Sequence, residues 1–286
     1  MYEFETPGSV SLEMRLQSGR VVITAADEAR TRVELTSVGR RGRDPSEDID
    51  VTTDDHGERH VIRVEQKDRL RWGPIQITRG AGIEIRVTCP PGTNLDLAGA
   101  STSLRASGEL GEVSVRTASG DVRLDDVRKR LQAKTTSGDV TVATISDEAS
   151  VVTVSGDIGV ERVEGALTAR AVSGDVTIGS LRGPVYLSTT SGDVDVRSLA
   201  GGEVRAQTLS GDVRVGVARG TRVWIDATSV SGDLGSELGL DDQSPPESAS
   251  PVVPLQVKTV SGDVAIVRAA EPVSAQLSRS RQIVNG

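Results

Sequence analysis

The residues best placed for chemistry in this 286-residue sequence belong to a repeated Ser-Gly-Asp triplet. The eight triplets contribute the aspartates Asp121, Asp139, Asp157, Asp175, Asp193, Asp212, Asp233 and Asp263. Repeated carboxylates suit Ca²⁺, which prefers oxygen ligands. The same triplet also suits a tight turn, because glycine accepts a positive φ and the Ser and Asp side chains bond nearby amides. We favour the structural turn, with a calcium ladder as the alternative.

The two histidines of the chain are the next candidates for a metal site. His56 and His60 lie in the segment DDHGERH, whose acidic residues are Asp54, Asp55 and Glu58. Such a cluster contains the ligand types that zinc uses, but no further ligand set accompanies it. We therefore interpret the segment as the polar tip of a hairpin.

The single cysteine and the known enzyme motifs give no stronger candidate. Cys89 precedes Pro90, far in sequence from either histidine, and we interpret it as a small residue at the end of a strand. The sequence contains neither a phosphate-binding loop nor a nucleophile elbow. We predict no catalytic residue, no bound cofactor and no metal site.

Composition narrows the classes of protein further. The net charge is −8, and the basic residues form no stripe of the kind that nucleic-acid binding requires. Only 2% of the residues are aromatic, so the core must be aliphatic. An apolar run of membrane-spanning length is lacking, and the N-terminus does not have the pattern of a signal peptide. We expect a cytoplasmic protein without nucleic-acid partners and without a transmembrane segment.

The spacing of the triplets indicates the elements that carry them. Successive triplet serines are separated by 18, 18, 18, 18, 19, 21 and 30 residues, which is typical of a solenoid. Apolar residues alternate with polar ones on both sides of each triplet, as in strands that bury one face. A second turn occurs half a period later. The fold class predicted is all-β, a β-solenoid (β-helix) of roughly 18-residue coils with two strands each.

The alternation also predicts which side chains point inward. Thr135, Thr153 and Thr189 are expected on the interior side, and Val176 and Leu187 in the core. A hexapeptide-repeat helix has the same coil length, but every register that we tried places a charged residue inside, so that fold is disfavoured.

The chain divides into three regions by this pattern. Residues 1–95 are expected to form an irregular β region that caps the solenoid, with strands over 32–36, 61–65 and 83–88, and "SGRVVITA" at 18–25 resembles an isolated copy of the turn. Residues 96–268 form the solenoid, which contains an acidic, Pro- and Ser-rich insertion at 239–254 that we interpret as a flexible loop. Residues 269–286 form a C-terminal tail.

The stretch "VTCPPGTNLDLAGASTSLRASGELGEVSVRTASGDVRL" and the serial SGDV motifs resemble the DUF4097 family, also called toastrack or "putative adhesin" domains. The resemblance covers most of the chain. It implies a β-helical fold, a bacterial origin and, in some contexts, proximity to envelope-stress systems. It supplies no catalytic residues.

One exterior position departs from the polar pattern and suggests a function. The residue before the triplet should point outward, yet it is apolar in five coils, at Val154, Val172, Leu209, Val230 and Val260. Aligned apolar residues on an exterior face can mark an interface, although a half-buried corner or a strip covered by the tail would look the same.

Three functions are open at this point. We predict a non-enzymatic scaffold or protein-interaction module that binds a protein partner or self-associates. A calcium-binding or adhesin-like solenoid is the alternative. A carbohydrate-active β-helix enzyme is disfavoured, because the coils are short and aromatic residues are scarce.

Overall fold

The computed structural model describes residues 1–38, 47–56, 59–67, 82–238 and 252–270. These residues form 22 β-strands, and none of them lies in a helix long and apolar enough to cross a membrane. Outside the described residues lie most of the insertion 239–254, the tail beyond residue 270, and the basic sequence RLRW at 69–72. The predicted all-β solenoid is confirmed.

The N-terminal third contains two long strands, the second and the seventh, and five shorter ones. Its strands are β1 (Tyr2–Glu5), β2 (Ser9–Ala25), β3 (Arg30–Val38), β4 (Ile49–His56), β5 (Arg59–Gln66), β6 (Gly82–Cys89) and β7 (Thr93–Thr117). The strands predicted over 32–36, 61–65 and 83–88 correspond to β3, β5 and β6. Each observed strand is slightly longer than its prediction.

The regular coils follow, with two strands per coil. Their strands are β8 (Val122–Val127), β9 (Leu131–Lys134), β10 (Val140–Ile145), β11 (Glu148–Val152), β12 (Ile158–Val163), β13 (Ala166–Arg170), β14 (Val176–Leu181), β15 (Val185–Ser191) and β16 (Val194–Leu199). Each pairs in parallel with the equivalent strand 18 residues away, as Val140 does with Ile158. The sequence period is therefore the length of one coil.

The core of these coils is aliphatic and has threonines at its corners. Val176 and Leu187 are fully buried, and Thr135, Thr153 and Thr189 are buried beside them, which confirms the predicted inward register. Valine and threonine suit these inward positions because β-branched side chains pack well on the pleated surface of a sheet. The hydroxyl of Thr189 donates to the carbonyl of Gly174, so this buried polar group is paired within the stack.

The first coil of the stack comes from residues near the N-terminus. β2 pairs in parallel with β7, and Ser18 lies opposite Ser101 and Val21 opposite Leu104. The segment at 18–25 is thus a true copy of the repeated turn. On its other side β2 pairs with β5 and β6. These two strands therefore lie outside a coil that precedes them in the chain.

This N-terminal end of the stack is covered by antiparallel strands. β4 pairs with β5, β3 pairs with β6, and β1 adds to β3. Beneath them Ile62, Val64, Ile85 and Val87 are buried. Antiparallel additions cover the parallel edges that a solenoid would otherwise expose.

The C-terminal end also departs from chain order. Its strands are β17 (Val204–Ser210), β18 (Val213–Val217), β19 (Arg222–Ser231), β20 (Leu234–Ser236), β21 (Val252–Ser261) and β22 (Val264–Arg268). β21 lies between β17 and β19, and β22 lies between β18 and β20. The chain therefore skips one level, forms the outermost coil at 222–236, and returns to fill the level beneath it.

The outermost described coil is less buried than the coils beneath it. Ile225 and Leu234 occupy inward positions, but they are 36% and 54% exposed. Their counterparts one level down, Leu255 and Val264, are buried. Among the described strands, this coil has a neighbour on only one side, so its inward side chains are less covered than those of the other coils.

Candidate interaction surface

The five apolar residues that precede the triplet form one exterior row, which we call the apolar stripe. Its members are 43% to 76% exposed: Val154, Val172, Leu209, Val260 and Val230. Each lies immediately before a triplet serine, and these serines pair from coil to coil through parallel bridges. Stacked strands lie about 4.8 Å apart, so the row is on the order of 25 Å long.

The order of residues within the apolar stripe differs from their order in the sequence. Ser261 pairs with Ser210 on one side and with Ser231 on the other. Val260 therefore lies between Leu209 and Val230. Thr190 fills the remaining level between Val172 and Leu209, so an apolar row is interrupted once by a small polar residue.

The local geometry of the corner explains why the apolar stripe faces outward. Two residues before the serine, the threonine turns inward, and Thr208 donates its hydroxyl to the carbonyl of Gly192. The strand alternation then directs the next side chain, Leu209, away from the core. An outward direction for these residues was predicted, and their exposure confirms it.

The aspartates of the triplets bond along the stack. The Oδ1 atom of each carboxylate accepts a hydrogen bond from the backbone amide of the aspartate in the next coil, at 2.8 to 3.3 Å. In spatial order the series is Asp121, Asp139, Asp157, Asp175, Asp193, Asp212, Asp263 and Asp233. One carboxylate oxygen of each of the first seven residues is therefore used by the backbone.

The glycines of the triplets allow this close stacking. A Cβ atom added to Gly174 would overlap the carbonyl oxygen of Gly156, and Gly156 is in the same position relative to Gly138. Gly174 also has a φ of 155°. Glycine is thus required by close approach of the backbones of adjacent coils.

The described residues do not provide a metal centre. Within them, no group of three or more His, Cys, Asp or Glu side chains is arranged to hold a metal ion. β4 and β5 form an antiparallel hairpin that pairs Asp55 with His60, and His60 is buried. The side chains of residues 55–58 lie outside the described set, so the DDHGERH cluster is described only in part.

Cys89 is a buried thiol at the end of β6. Its side chain is fully buried, and burial raises the pKa of the thiol to about 11, an effect that a hydrogen bond with Thr93 partly opposes. A thiol with this pKa is almost entirely protonated near neutral pH, and the thiolate is the reactive form. The position of Cys89 is that expected from the sequence.

The described surface also contains grooves between the coils. One groove of about 250 Å³ crosses the outer face of the coils between Glu148 and Arg205 and includes Tyr186. Its two carboxylates form ion pairs, Glu148 with Arg130 and Glu203 with Arg205. Its lining contains no histidine or cysteine.

Comparisons with known proteins found several solved structures that are similar to the chain. Solved structures that resemble the chain include a "putative adhesin" from Bacteroides fragilis, with 12% identity, a TM-score of 0.49, and coverage of 93% of this chain and 95% of that one. A "putative lipid binding protein" from Parabacteroides distasonis has 13% identity and a TM-score of 0.45, with coverage of 93% and 96%. A "putative cell adhesion protein" from Clostridium sporogenes has 10% identity and a TM-score of 0.23, with coverage of 93% and 99%.

Curated proteins give no significant match to the chain. The family model described as Toastrack DUF4097 matches residues 9–267, which is most of the sequence. That match includes every Ser-Gly-Asp triplet. The chain belongs to the toastrack DUF4097 family.

Proposed function

We propose that this protein is a non-enzymatic interaction module that binds a protein partner along the apolar stripe. The observation that supports the proposal is the exposure of Val154, Val172, Leu209, Val260 and Val230 in one row along the stack, which only Thr190 interrupts. Contiguous apolar surface on a folded protein commonly marks an interface. Solenoids in general bind through such extended faces.

The chemistry of the apolar stripe suits an extended apolar segment of the partner. Its residues repeat at the spacing of stacked strands, so a partner that presents several aliphatic side chains can contact several coils together. Burying apolar area of this kind favours association through the hydrophobic effect. The family resemblance makes bacterial envelope-stress proteins the first place to look for that partner, and a cytoplasmic location belongs to the same proposal.

A lysine scan with a matched control tests the proposal. The double variant Val172→Lys with Leu209→Lys places two charges in the apolar stripe. The control, Thr141→Lys with Thr177→Lys, adds the same charge at outward positions of β10 and β14, which lie on either side of β12. Proteins captured from the native organism should be lost with the first variant and retained with the second.

Circular dichroism and a melting curve establish that both double variants are folded. If the folded stripe variant retains every partner of the wild-type protein, the apolar stripe is only a corner of the scaffold. The proposed function would then be wrong.

A further inference from the structure

The apolar stripe shares its corner of the coil with a row of carboxylates. In every coil that the stripe spans, the aspartate of the triplet lies three residues after the stripe position and is exposed. Only a serine and a glycine separate the two positions, so no large side chain of the triplet lies between them. We call these carboxylates the aspartate row. In spatial order they are Asp157, Asp175, Asp193, Asp212, Asp263 and Asp233.

The aspartate row has hydrogen-bonding capacity that the fold does not use. Oδ1 of Asp175 accepts the amide of Asp193, but its other oxygen, Oδ2, has no hydrogen-bond partner among the described residues. The ion pairs of the neighbouring faces involve other acidic residues, such as Asp195 with Arg197 and Glu203 with Arg205. Within the described part of the chain, no basic side chain lies within ion-pair distance of the aspartate row. Like charges at the spacing of stacked strands repel even in water, so added cations would be favoured here.

The opposite flank of the apolar stripe carries a different charge. Its outward residues lie two positions before each stripe position, and they are Val152, Arg170, Ser188, Gln207, Lys258 and Thr228. None of them is acidic, and Arg170 lies over the ring of Tyr186, 5.4 Å from its centroid. The apolar stripe therefore separates an acidic side from a neutral to basic side.

From these observations we infer that the apolar stripe binds a polypeptide segment whose Lys or Arg side chains contact the aspartate row while its aliphatic side chains cover the stripe. This inference rests on the proposed function, because it names the chemistry of the partner at the same surface. A guanidinium or ammonium group can donate a charge-assisted hydrogen bond to Oδ2 while Oδ1 stays bonded to the backbone. Because only one flank is acidic, the basic side chains must lie along one edge of the segment, which fixes its orientation.

The aspartate row argues against other occupants of the apolar stripe. An anionic membrane surface or a nucleic acid would bring negative charge close to the carboxylates. An aliphatic segment flanked by Asp or Glu would meet the same repulsion. Attraction of a basic segment is electrostatic, so salt should weaken its binding.

Fluorescence anisotropy on the full chain, with three labelled peptides of equal length, tests this inference. The first peptide contains Leu and Lys, the second has Glu in place of each Lys, and the third has Ser in place of each Leu. We expect the Leu/Lys peptide to bind at least about tenfold more tightly than either of the others. Its affinity should fall as the salt concentration rises, because exposed charges are screened.

Two double variants separate the aspartate row from the general surface charge. Asp175→Asn with Asp212→Asn removes two charges beside Val172 and Leu209, and each asparagine keeps an oxygen that can accept the backbone amide. The control, Asp147→Asn with Glu161→Gln, removes two exposed charges near the other turn of the coils. The first variant should weaken binding of the Leu/Lys peptide by at least about fivefold and reduce its salt dependence, and the control by less than about twofold.

The outcomes distinguish this inference from the proposed function. If Val172→Lys with Leu209→Lys abolishes partner capture but the folded asparagine variant binds the Leu/Lys peptide as the wild type does, the apolar stripe is an interface and the inference is wrong. Equal affinity of the wild-type protein for the three peptides also overturns the inference. So does binding to anionic phosphatidylglycerol vesicles in preference to the Leu/Lys peptide. Failure of the proposed function is recognised separately, by partner capture that survives in the lysine variant.

Discussion

Asp175 accepts a hydrogen bond from Asp193 of the next coil, and a second bond between Val176 and Asp193 lies beside it at the same corner. The amide of Asp193 donates to Oδ1 of Asp175 at 2.8 Å, and the carbonyl of Asp193 accepts from the amide of Val176 at 2.9 Å. The carboxylate thus continues the backbone ladder around a turn, where strand pairing alone would leave an amide unpaired. The repeated aspartate has a structural explanation that requires no ion.

This arrangement predicts different effects for two substitutions of Asp175. Asp175→Ala removes the acceptor and should lower the free energy of unfolding by about 1 kcal/mol. Asp175→Asn keeps a side-chain oxygen that can accept the amide, and it also removes one charge from a row of like charges. We expect the asparagine variant to remain close to the wild type in urea denaturation. Equal destabilisation by both substitutions would contradict the hydrogen-bond explanation.

The same geometry predicts that calcium does not stabilise the protein. Binding to the native state would raise the melting temperature with ligand concentration. Because backbone amides already occupy one oxygen of the stacked carboxylates, we expect identical melting curves with millimolar calcium and with a chelator. A calcium-dependent increase that disappears when Asp157, Asp175 and Asp193 are changed to Asn would support the calcium ladder instead.

Two glycines in neighbouring strand regions should respond oppositely to alanine. In Gly174→Ala the new methyl would overlap the carbonyl oxygen of Gly156, so the coils must separate. In Gly159→Ala the methyl would meet only the Thr141 side chain, at 4.0 Å. We expect Gly174→Ala to lower the free energy of unfolding by several kcal/mol, as other substitutions that strain the backbone severely do. Gly159→Ala should leave that free energy unchanged or raise it slightly.

Thermal unfolding followed by circular dichroism distinguishes these two glycine variants. Both add one methyl group, so a difference between their melting temperatures reports the local backbone spacing. Similar melting temperatures would show that the coils can separate without cost at the triplet.

The cross-section of the solenoid is predictable from the sequence, but the order of its coils is not. The period-two alternation places Val176, Leu187 and Thr189 inside because burial depends on the residues of each coil. The strands of every coil present nearly the same backbone edge and the same inward side chains. The sequence pattern therefore does not show which coil stacks on which. The interval of 30 residues before Ser261 is the one local sign that the chain has room to return beneath the coil of Ser231.

The candidate surface was likewise predictable in part. The outward direction of Leu209 and Val260 follows from alternation, but their adjacency depends on the interchange of the last two coils. The exposure of Leu234 could not be predicted, because its residue type and position match those of buried residues in other coils. Only the level at which a coil lies determines whether its inward side is covered.

The inward register predicts a sharp contrast between two adjacent residues of β15. Leu187 is fully buried, whereas Ser188 lies on the outer side of the strand and is only partly buried. Leu187→Asp would place a charge in an aliphatic core and should unfold the neighbouring coils. Ser188→Asp should change the melting temperature little. An unchanged melting temperature in Leu187→Asp would contradict the assigned register.

The last prediction concerns the buried thiol of Cys89. Its raised pKa and its burial both slow its reaction with a thiol reagent. Desolvation raises that pKa to about 11. The protonated form, which is neutral, is therefore favoured in the folded state until the pH approaches that value. Since only the thiolate attacks a disulfide reagent, an aromatic disulfide should label the native protein very slowly at pH 8.

Unfolding should release this protection of Cys89. In denaturant the thiol regains an ordinary pKa near 8.5, and about a quarter of it is thiolate at pH 8. We expect rapid reaction of one thiol per chain in urea, and a native rate that follows opening of the N-terminal coils. The chain has no other cysteine, so the assay needs no background correction. Fast labelling of the folded protein at pH 8 would show that β6 opens readily, and that the antiparallel strands β3 and β4 do not hold the N-terminal end closed.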